Sequence, residues 1–326
     1  MRDTGESDQD QVLRSMEIRE IEEDFNVSPI IMDKIHQVHH FKTPKRKFKG
    51  RRPVFITIIS AVLLLSSLTA YASSQWIHIR NKEGKIVIST KEQQYNQFGE
   101  YFAQLLNKYL DELKKKLDPG ELAVYYIKDE QINEADKWNP LRYYYRPILH
   151  RNYDDLAKEM KETDAPFIQE PTFVPEGYIF ESGNISTQFD YFANTPEYQN
   201  ILDELKGMAE TSQEDKALFY KIVPWSKAVS TIIKYQKGEH ELTIIAFAKS
   251  SDSPAQIYTN NAEKLIVGGT EMLFYTNSTG SKTQQVGHRL TWLDENKHAL
   301  FMILDDPKDP LSRDIFAKIA EGMIYQ

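Results

Sequence analysis

The sequence predicts an α+β protein with a single N-terminal transmembrane helix, a helical and hairpin membrane-proximal region, and an antiparallel sheet with a C-terminal helix. Three observations predict it. Residues 53–77, PVFITIISAVLLLSSLTAYASSQWI, contain no Asp, Glu, Lys, Arg or His. From Ile179 onward the apolar residues recur at period two, in short runs broken by turn letters such as Gly268-Gly269. The chain then returns to helical spacing at Phe316, Ile319, Ala320, Met323 and Ile324.

The first 52 residues carry 11 Lys and Arg against 10 Asp and Glu, and most of the cations fall late. Residues 1–9 are polar and fit a disordered leader. Between Asp10 and Asp24, Val12, Met16, Ile18 and Ile21 form a weak helical stripe. Ser28 then reads as an N-cap with Pro29 at the first helical position, followed by Ile31, Ile35 and Val38 on one face. Residues 10–40 therefore offer a docking helix for a cytoplasmic regulatory protein. The alternative is a loosely helical tail that serves topology alone.

Lys42, Lys45, Arg46, Lys47, Lys49, Arg51 and Arg52 place seven cations in eleven residues immediately before the apolar stretch. A 25-residue helix at about 1.5 Å per residue crosses a hydrocarbon core of roughly 30 Å with some tilt. The positive-inside bias places residues 1–52 in the cytoplasm, residues 53–77 in the plasma membrane and residues 78–326 outside. The basic run suffices as a topogenic signal, and it can also attract anionic lipid. Trp76 stands where an interfacial aromatic anchors the outer end. Ala70-Tyr71-Ala72 permits a competing reading as a signal-peptidase site, against which stands the long, patterned region before it.

Beyond residue 52 the balance is 29 cations to 38 anions, so the outer part is acidic and a poor binder of nucleic acid or anionic polymers through bulk charge. There is no cysteine, which excludes disulfides, thiolate metal sites and cysteine nucleophiles. For an exported chain this fits a Gram-positive surface.

In residues 78–164, Trp76–Ile79 and Lys85–Ile88 flank Asn81-Lys82-Glu83-Gly84 as a hairpin. Ser89 and Glu92 form an S-x-x-E capping box that would open a long helix. Its stripe is Tyr95, Phe98, Phe102, Leu105, Leu106, Tyr109, Leu113 and Leu117, a core face or a coiled-coil seam, and Pro119-Gly120 ends it. Ala123–Ile127 reads as a strand and Asp154–Met160 as a short helix. Leu141 to Arg146, LRYYYR, is either a joint between subdomains or an aromatic and cationic surface for sugars or anions.

Pro166, Pro171 and Pro175 fix an extended path into residues 165–326. Strands are expected at Ile179–Ile185, Leu218–Val223, Val229–Tyr235, Leu242–Ala248, Lys264–Val267, Met272–Tyr275 and Leu300–Leu304. Another carries Val286, His288, Leu290 and Trp292 on one face. A helix capped by Thr195, with Pro196 in its first turn, buries Tyr198, Ile201, Leu202, Leu205 and Met208. Ser312 caps the last helix, with Leu311 and Phe316 as a staple. The sheet is expected to be covered on one face.

The turn Pro175-Glu176-Gly177-Tyr178 resembles the start of domain-of-unknown-function family 4367. The Gly268-Gly269-Thr270-Glu271 turn, the Leu290-Thr291-Trp292 strand and the Phe316-Ala317-Lys318-Ile319-Ala320 helix are similar to that family too. The resemblance covers roughly residues 165–326. It implies the extracytoplasmic domain of a single-pass, anti-sigma-like Gram-positive membrane protein, here without the His/Cys zinc motif. It singles out Pro175, Glu176, Gly177, Tyr178, Gly269 and Trp292 as motif positions, and it brings no assigned activity.

No enzymatic signature stands out. G-x-S-x-G, S-x-x-K, H-E-x-x-H and P-loop patterns are absent. His288 reads as a half-buried sheet residue. The DDPKDP run with Asp305, Asp306 and Asp309 reads as a helix-leading turn, or as oxygen ligands for Ca²⁺. The expectation is a non-enzymatic sensing or binding domain with no cofactor and no metal. It would contact the lipid bilayer, an envelope protein or ligand outside, and a regulatory protein inside. An envelope structural or assembly factor is the alternative, and an envelope hydrolase a distant third.

Overall fold

The computed structural model describes residues 76–92, 97–137, 139–188, 195–214, 217–249, 252–276 and 287–324, with backbone alone at 97–101, 103 and 104. The tail 1–52, its basic run and the apolar stretch as far as residue 75 lie outside the described residues, as do Tyr95 and Val286. Among the described residues no helix is long and apolar enough to cross a membrane.

Thirteen strands and five helices are described. In chain order they are β1 (His78–Arg80), β2 (Ile86–Lys91), α1 (Gln97–Lys116), β3 (Leu122–Lys128), α2 (Glu130–Ala135), β4 (Leu141–Tyr145), α3 (Tyr153–Glu162), β5 (Ile179–Thr187), α4 (Pro196–Thr211), β6 (Ala217–Val223), β7 (Ala228–Lys237), β8 (His240–Ala248), β9 (Ala255–Tyr258), β10 (Asn261–Val267), β11 (Thr270–Thr276), β12 (His288–Asp294), β13 (Ala299–Asp305) and α5 (Arg313–Ile324). The protein is α+β, dominated by a seven-stranded antiparallel sheet of order β10-β11-β12-β13-β8-β7-β5 and closed by the C-terminal helix.

The hairpins form where the turn chemistry requires them. Gly268 and Gly269 take φ of 57° and 78°, and Val267 pairs with Thr270 across them. Positive φ at both central residues is the geometry whose twist matches the flanking strands, and glycine adopts it without strain.

One face of the large sheet carries Ile185, Ile233, Ile244, Leu290, Trp292, Phe301 and Ile303. Against it pack Leu156 and Met160 of α3 and Phe316, Ile319, Ala320 and Met323 of α5. The expected covering of one face is too simple. Ile232, Ile245, Met302 and Leu304, on the opposite face, are buried as well. The runs Leu242–Phe247 and Leu300–Leu304 are nearly continuous in apolar character, as central strands buried on both sides are. Part of that second face is covered by the three-stranded sheet β1-β2-β9, through Ile79, Val87 and Ile88 against Leu273 and Tyr275.

The third sheet, β4-β3-β6, lies between two helices. Leu122, Val124, Tyr143 and Tyr145 meet Tyr198, Ile201, Leu202 and Leu205 of α4. On its other side Ala123, Tyr125, Ile127 and Tyr144 meet Tyr109, Leu113 and Leu117 of α1. The helical stripe is therefore a core face, and Phe102, Leu105 and Leu106 extend it.

Two expectations are corrected. Ser89 does not cap a helix. It lies inside β2 opposite His78, and its hydroxyl sits 3.0 Å from His78 Nδ1. The ladders to β1 and β9 outweigh the capping letters. Met208, expected in the buried face of α4, is 47% exposed, and Ala209 takes the inward position.

The strands also cross the boundary at residue 164. β3 pairs with β6 and β2 pairs, in parallel, with β9. Trp225 Nε1 donates to the Gly120 carbonyl at 2.9 Å, and its ring meets Tyr145 edge-on.

Glu271 ties the small sheet to the large one. Its Oε2 accepts from the Arg80 amide at 2.7 Å and from Lys264 Nζ at 2.8 Å. Burial alone raises its pKa, but these bonds outweigh it and hold the carboxyl below its ordinary value. A lowered folded-state value means stability present above the unfolded value and lost as pH falls through the folded one. Glu271→Gln is expected to cost about 1 kcal/mol at neutral pH. Denaturation at pH 7 and at about pH 3 checks it, since the difference from wild type should shrink at the acid end.

Candidate functional site

The residues singled out in Pro175–Tyr178 form a tight turn before β5, in which the Tyr178 amide donates to the Pro175 carbonyl at 3.1 Å. Gly177 has φ +87°, as the third residue of a type II turn requires. Glu176 and Gly177 are exposed at its tip, while Pro175 and Tyr178 turn inward. Tyr178 is 7% exposed, and its hydroxyl has no hydrogen-bond partner among the described residues.

The turn stands at the end of the sheet where β13 runs out into Asp305-Asp306-Pro307-Lys308-Asp309-Pro310. Lys237, at the end of β7, bridges the two. Its Nζ lies 5.4 Å from the centre of the Tyr178 ring and donates to Asp309 Oδ2 at 2.7 Å. That hydrogen bond holds the Asp309 carboxyl below its usual value. Burial, with the nearby carboxylates of Asp309, Asp306 and Asp305, pushes the Tyr178 phenol up to about 12.

Two histidines complete the cluster. His240, opening β8, places Nδ1 3.1 Å from Asp306 Oδ2. His288, opening β12, places Nδ1 3.0 Å from Asp305 Oδ2, stacks on Phe274 and meets Phe316 edge-on. The Asp305 side chain is wholly buried. It accepts from the backbone amides of His288 at 2.5 Å and Leu311 at 2.7 Å, so it joins the start of β12 to the lead-in of α5. Burial raises its pKa, and those hydrogen bonds oppose the shift without cancelling it. The approach is close because residue 287 is glycine. A Cβ there would stand 2.7 Å from the Asp305 carbonyl oxygen.

A ring held by a buried carboxylate is half of a general-base arrangement. The hydrogen bonds described for His288 both go to Asp305, however, and among the described residues no group of three or more His, Asp or Glu could hold a metal ion. The aspartate oxygens are engaged by Lys237, the histidines and backbone amides, as in a helix-leading turn. What the cluster offers a visitor is a polar rim of three carboxylates, one lysine and two imidazoles beside a buried phenol. Tyr178→Phe removes a hydroxyl that has no partner among the described residues. It is therefore expected to leave stability unchanged or raise it by up to about 1 kcal/mol in thermal unfolding; a loss above that would show the hydroxyl to be bonded in the folded protein.

The other motif positions lie elsewhere. Gly269 is in the β10–β11 turn at the opposite end of the large sheet. Trp292 is a core residue stacked on Phe301. Tyr143, Tyr144 and Tyr145 are buried in two cores, so the LRYYYR segment presents no open aromatic face. Arg142, itself nearly buried, reaches Asp136 at 3.3 Å and lies over the Phe102 ring.

Along the chain the turn Lys237–His240, His288 and the DDPKDP run are separate features, and nothing in their letters joins them. Only the sheet order β12-β13-β8-β7 makes them neighbours. The available signal was two histidines opening strands on either side of the one that ends in Asp305-Asp306. Comparison with family models, with curated proteins and with solved structures finds no match to this chain.

Proposed function

We propose that this chain is a single-pass membrane protein whose extracytoplasmic domain, residues 78–326, senses or binds a component of the cell envelope. Residues 1–52 face the cytoplasm, where residues 10–40 contact a regulatory protein. The observation that carries this reading is the uncharged stretch 53–77 behind seven cations in residues 42–52. The folded strands beginning at His78, directly after that stretch, fit it, and so does the resemblance to the extracytoplasmic family 4367. The polar cluster around Tyr178, His240 and His288 supports a binding role without chemistry, since its lysine, histidines and carboxylates are engaged with one another.

Protease added to intact cells tests the topology. The expected result is loss of an epitope at the C-terminus with retention of one at the N-terminus; protection of both overturns it. Crosslinking in intact cells then separates the roles. Capture of a regulatory protein through residues 10–40 supports signalling. Full rescue by a chain whose residues 1–77 are replaced with a foreign anchor removes the signalling role and leaves an envelope assembly factor.

A further inference from the structure

We propose that the end of the small sheet that carries Trp76, Lys91 and Tyr258 rests in the headgroup region of the bilayer, so that the extracytoplasmic domain lies on the membrane. The proposal rests on the membrane reading above and goes beyond the anchor to the folded domain itself.

Lys91 ends β2, Tyr258 ends β9 and Trp76 lies two residues before β1, and the three form one row along the end of the small sheet. His78 pairs with Ser89, and the Thr90 amide donates to the Ile77 carbonyl at 3.0 Å, so one residue further along Trp76 falls beside Lys91. On the other side of β2, Lys91 pairs with Tyr258 of β9. Neighbouring strands lie about 4.8 Å apart, so the row spans about 10 Å. Ile77, Ile79, Val87, Ile88 and Ile257 pack in the core against the large sheet, and Trp76, Lys91 and Tyr258 lie outside that core. Trp76 is 63% exposed and Tyr258 41%, two of the large hydrophobic side chains this protein leaves in the open. Lys91 Nζ lies 5.9 Å from the centre of the Tyr258 ring.

Tryptophan, tyrosine and a lysine with an apolar stem are the side chains that partition to a membrane–water interface. Chain continuity names the occupant. Trp76 and Ile77 are the last residues of the uncharged stretch, and Ile77 is already held on both sides, its amide donating to Thr90 Oγ1 at 2.8 Å. Trp76 and Ile77 belong both to the uncharged stretch and to the start of the folded domain, so wherever Trp76 meets the interface Lys91 and Tyr258 are carried with it. Residues 53–326 are net acidic, so bulk attraction to anionic headgroups does not hold the domain down; the aromatic row does.

The orientation has a consequence for the candidate site. Thr259, next to Tyr258, donates from Oγ1 to the Thr276 carbonyl at 2.8 Å, and Thr276 pairs with His288. The row therefore lies at the end of the large sheet that carries the His288–Asp305 and His240–Asp306 pairs, and that cluster faces the bilayer side.

Because the chain has no cysteine, single labels can be placed without removing any native residue. Trp76→Cys, Tyr258→Cys and Ile266→Cys are each spin-labelled in the full chain, in vesicles of phosphatidylcholine and phosphatidylglycerol. Ile266 is 70% exposed in β10 near the opposite end of the sheet and serves as the aqueous reference. The proposal expects collision with lipid-soluble oxygen, relative to a water-soluble nickel chelate, to be severalfold higher at 258 than at 266. The label at 258 decides this proposal and the label at 76 decides the anchor. A label at 258 matching 266 while 76 reports lipid overturns the resting domain and keeps the anchor; labels at 76 and 258 both matching 266 overturn the two together.

Discussion

Replacing Trp292 with alanine is expected to cost about 4 kcal/mol, because the largest side chain of the main core is lost. Trp292 is 2% exposed and sits in the middle strands of the large sheet. It stands opposite Phe301 in the β12–β13 ladder, and the two rings stack with centroids 5.2 Å apart and planes 13° from parallel. Truncation removes the transfer term of a large ring and leaves a cavity that central strands, hydrogen-bonded on both edges, cannot close. Urea denaturation of the full chain in mild detergent, followed by circular dichroism, measures the loss. The slope should hold while the midpoint falls. Phe301→Ala should be costly too, and the double variant should lose less than the two single losses together by about 1 kcal/mol, because the stacked pair can be lost only once. Additive losses would show that the rings do not share one contact.

Replacing Asp305 with alanine is expected to cost about 3 kcal/mol, by a different mechanism. The carboxylate is buried and accepts three hydrogen bonds, two from backbone amides and one from the His288 ring. Alanine leaves the amides of His288 and Leu311 without acceptors and loosens the lead-in of α5, whose Phe316 packs against His288. Asp305→Asn keeps one acceptor oxygen and should cost about half as much. The pH dependence separates charge from shape. Burial raises the pKa of Asp305, so the stability tied to its titration is present below its unfolded value and declines as pH rises through the folded value. The asparagine variant lacks that contribution. Its deficit against wild type should therefore widen as pH falls from neutral to about 3, and a deficit that narrows would mean that the folded state favours the charged form.

The elements themselves were largely legible. The α1 stripe from Phe102 to Leu117 follows from steps of three and four, and the structure buries it. Thr195 caps α4 as its letters imply, its hydroxyl accepting from the Tyr198 amide. Gly268-Gly269 and Lys237–His240 turn the chain where the φ demands of short hairpins require. Each of these is decided within a few residues, by sterics and by which face can be apolar. Ser89 shows the limit. Its local letters favour a cap, but ladder bonds to strands on both sides decide its conformation.

Local letters are enough to find where the chain turns, which segments are helices and strands, which side chains seek the core, and that residues 53–77 carry no charge. Which strands become neighbours is decided only in the folded chain. Folding brought β9 alongside β2, with Lys91 beside Tyr258 and Ile88 beside Ala255, and set β6 beside β3. It also closed Tyr178, Lys237, His240 and His288 around the turn after β13. The reason is physical. Turn and helix preferences are short-range and can be read locally, whereas strand pairing is chosen by burying both faces of a shared sheet, a free energy that exists only once distant segments have met.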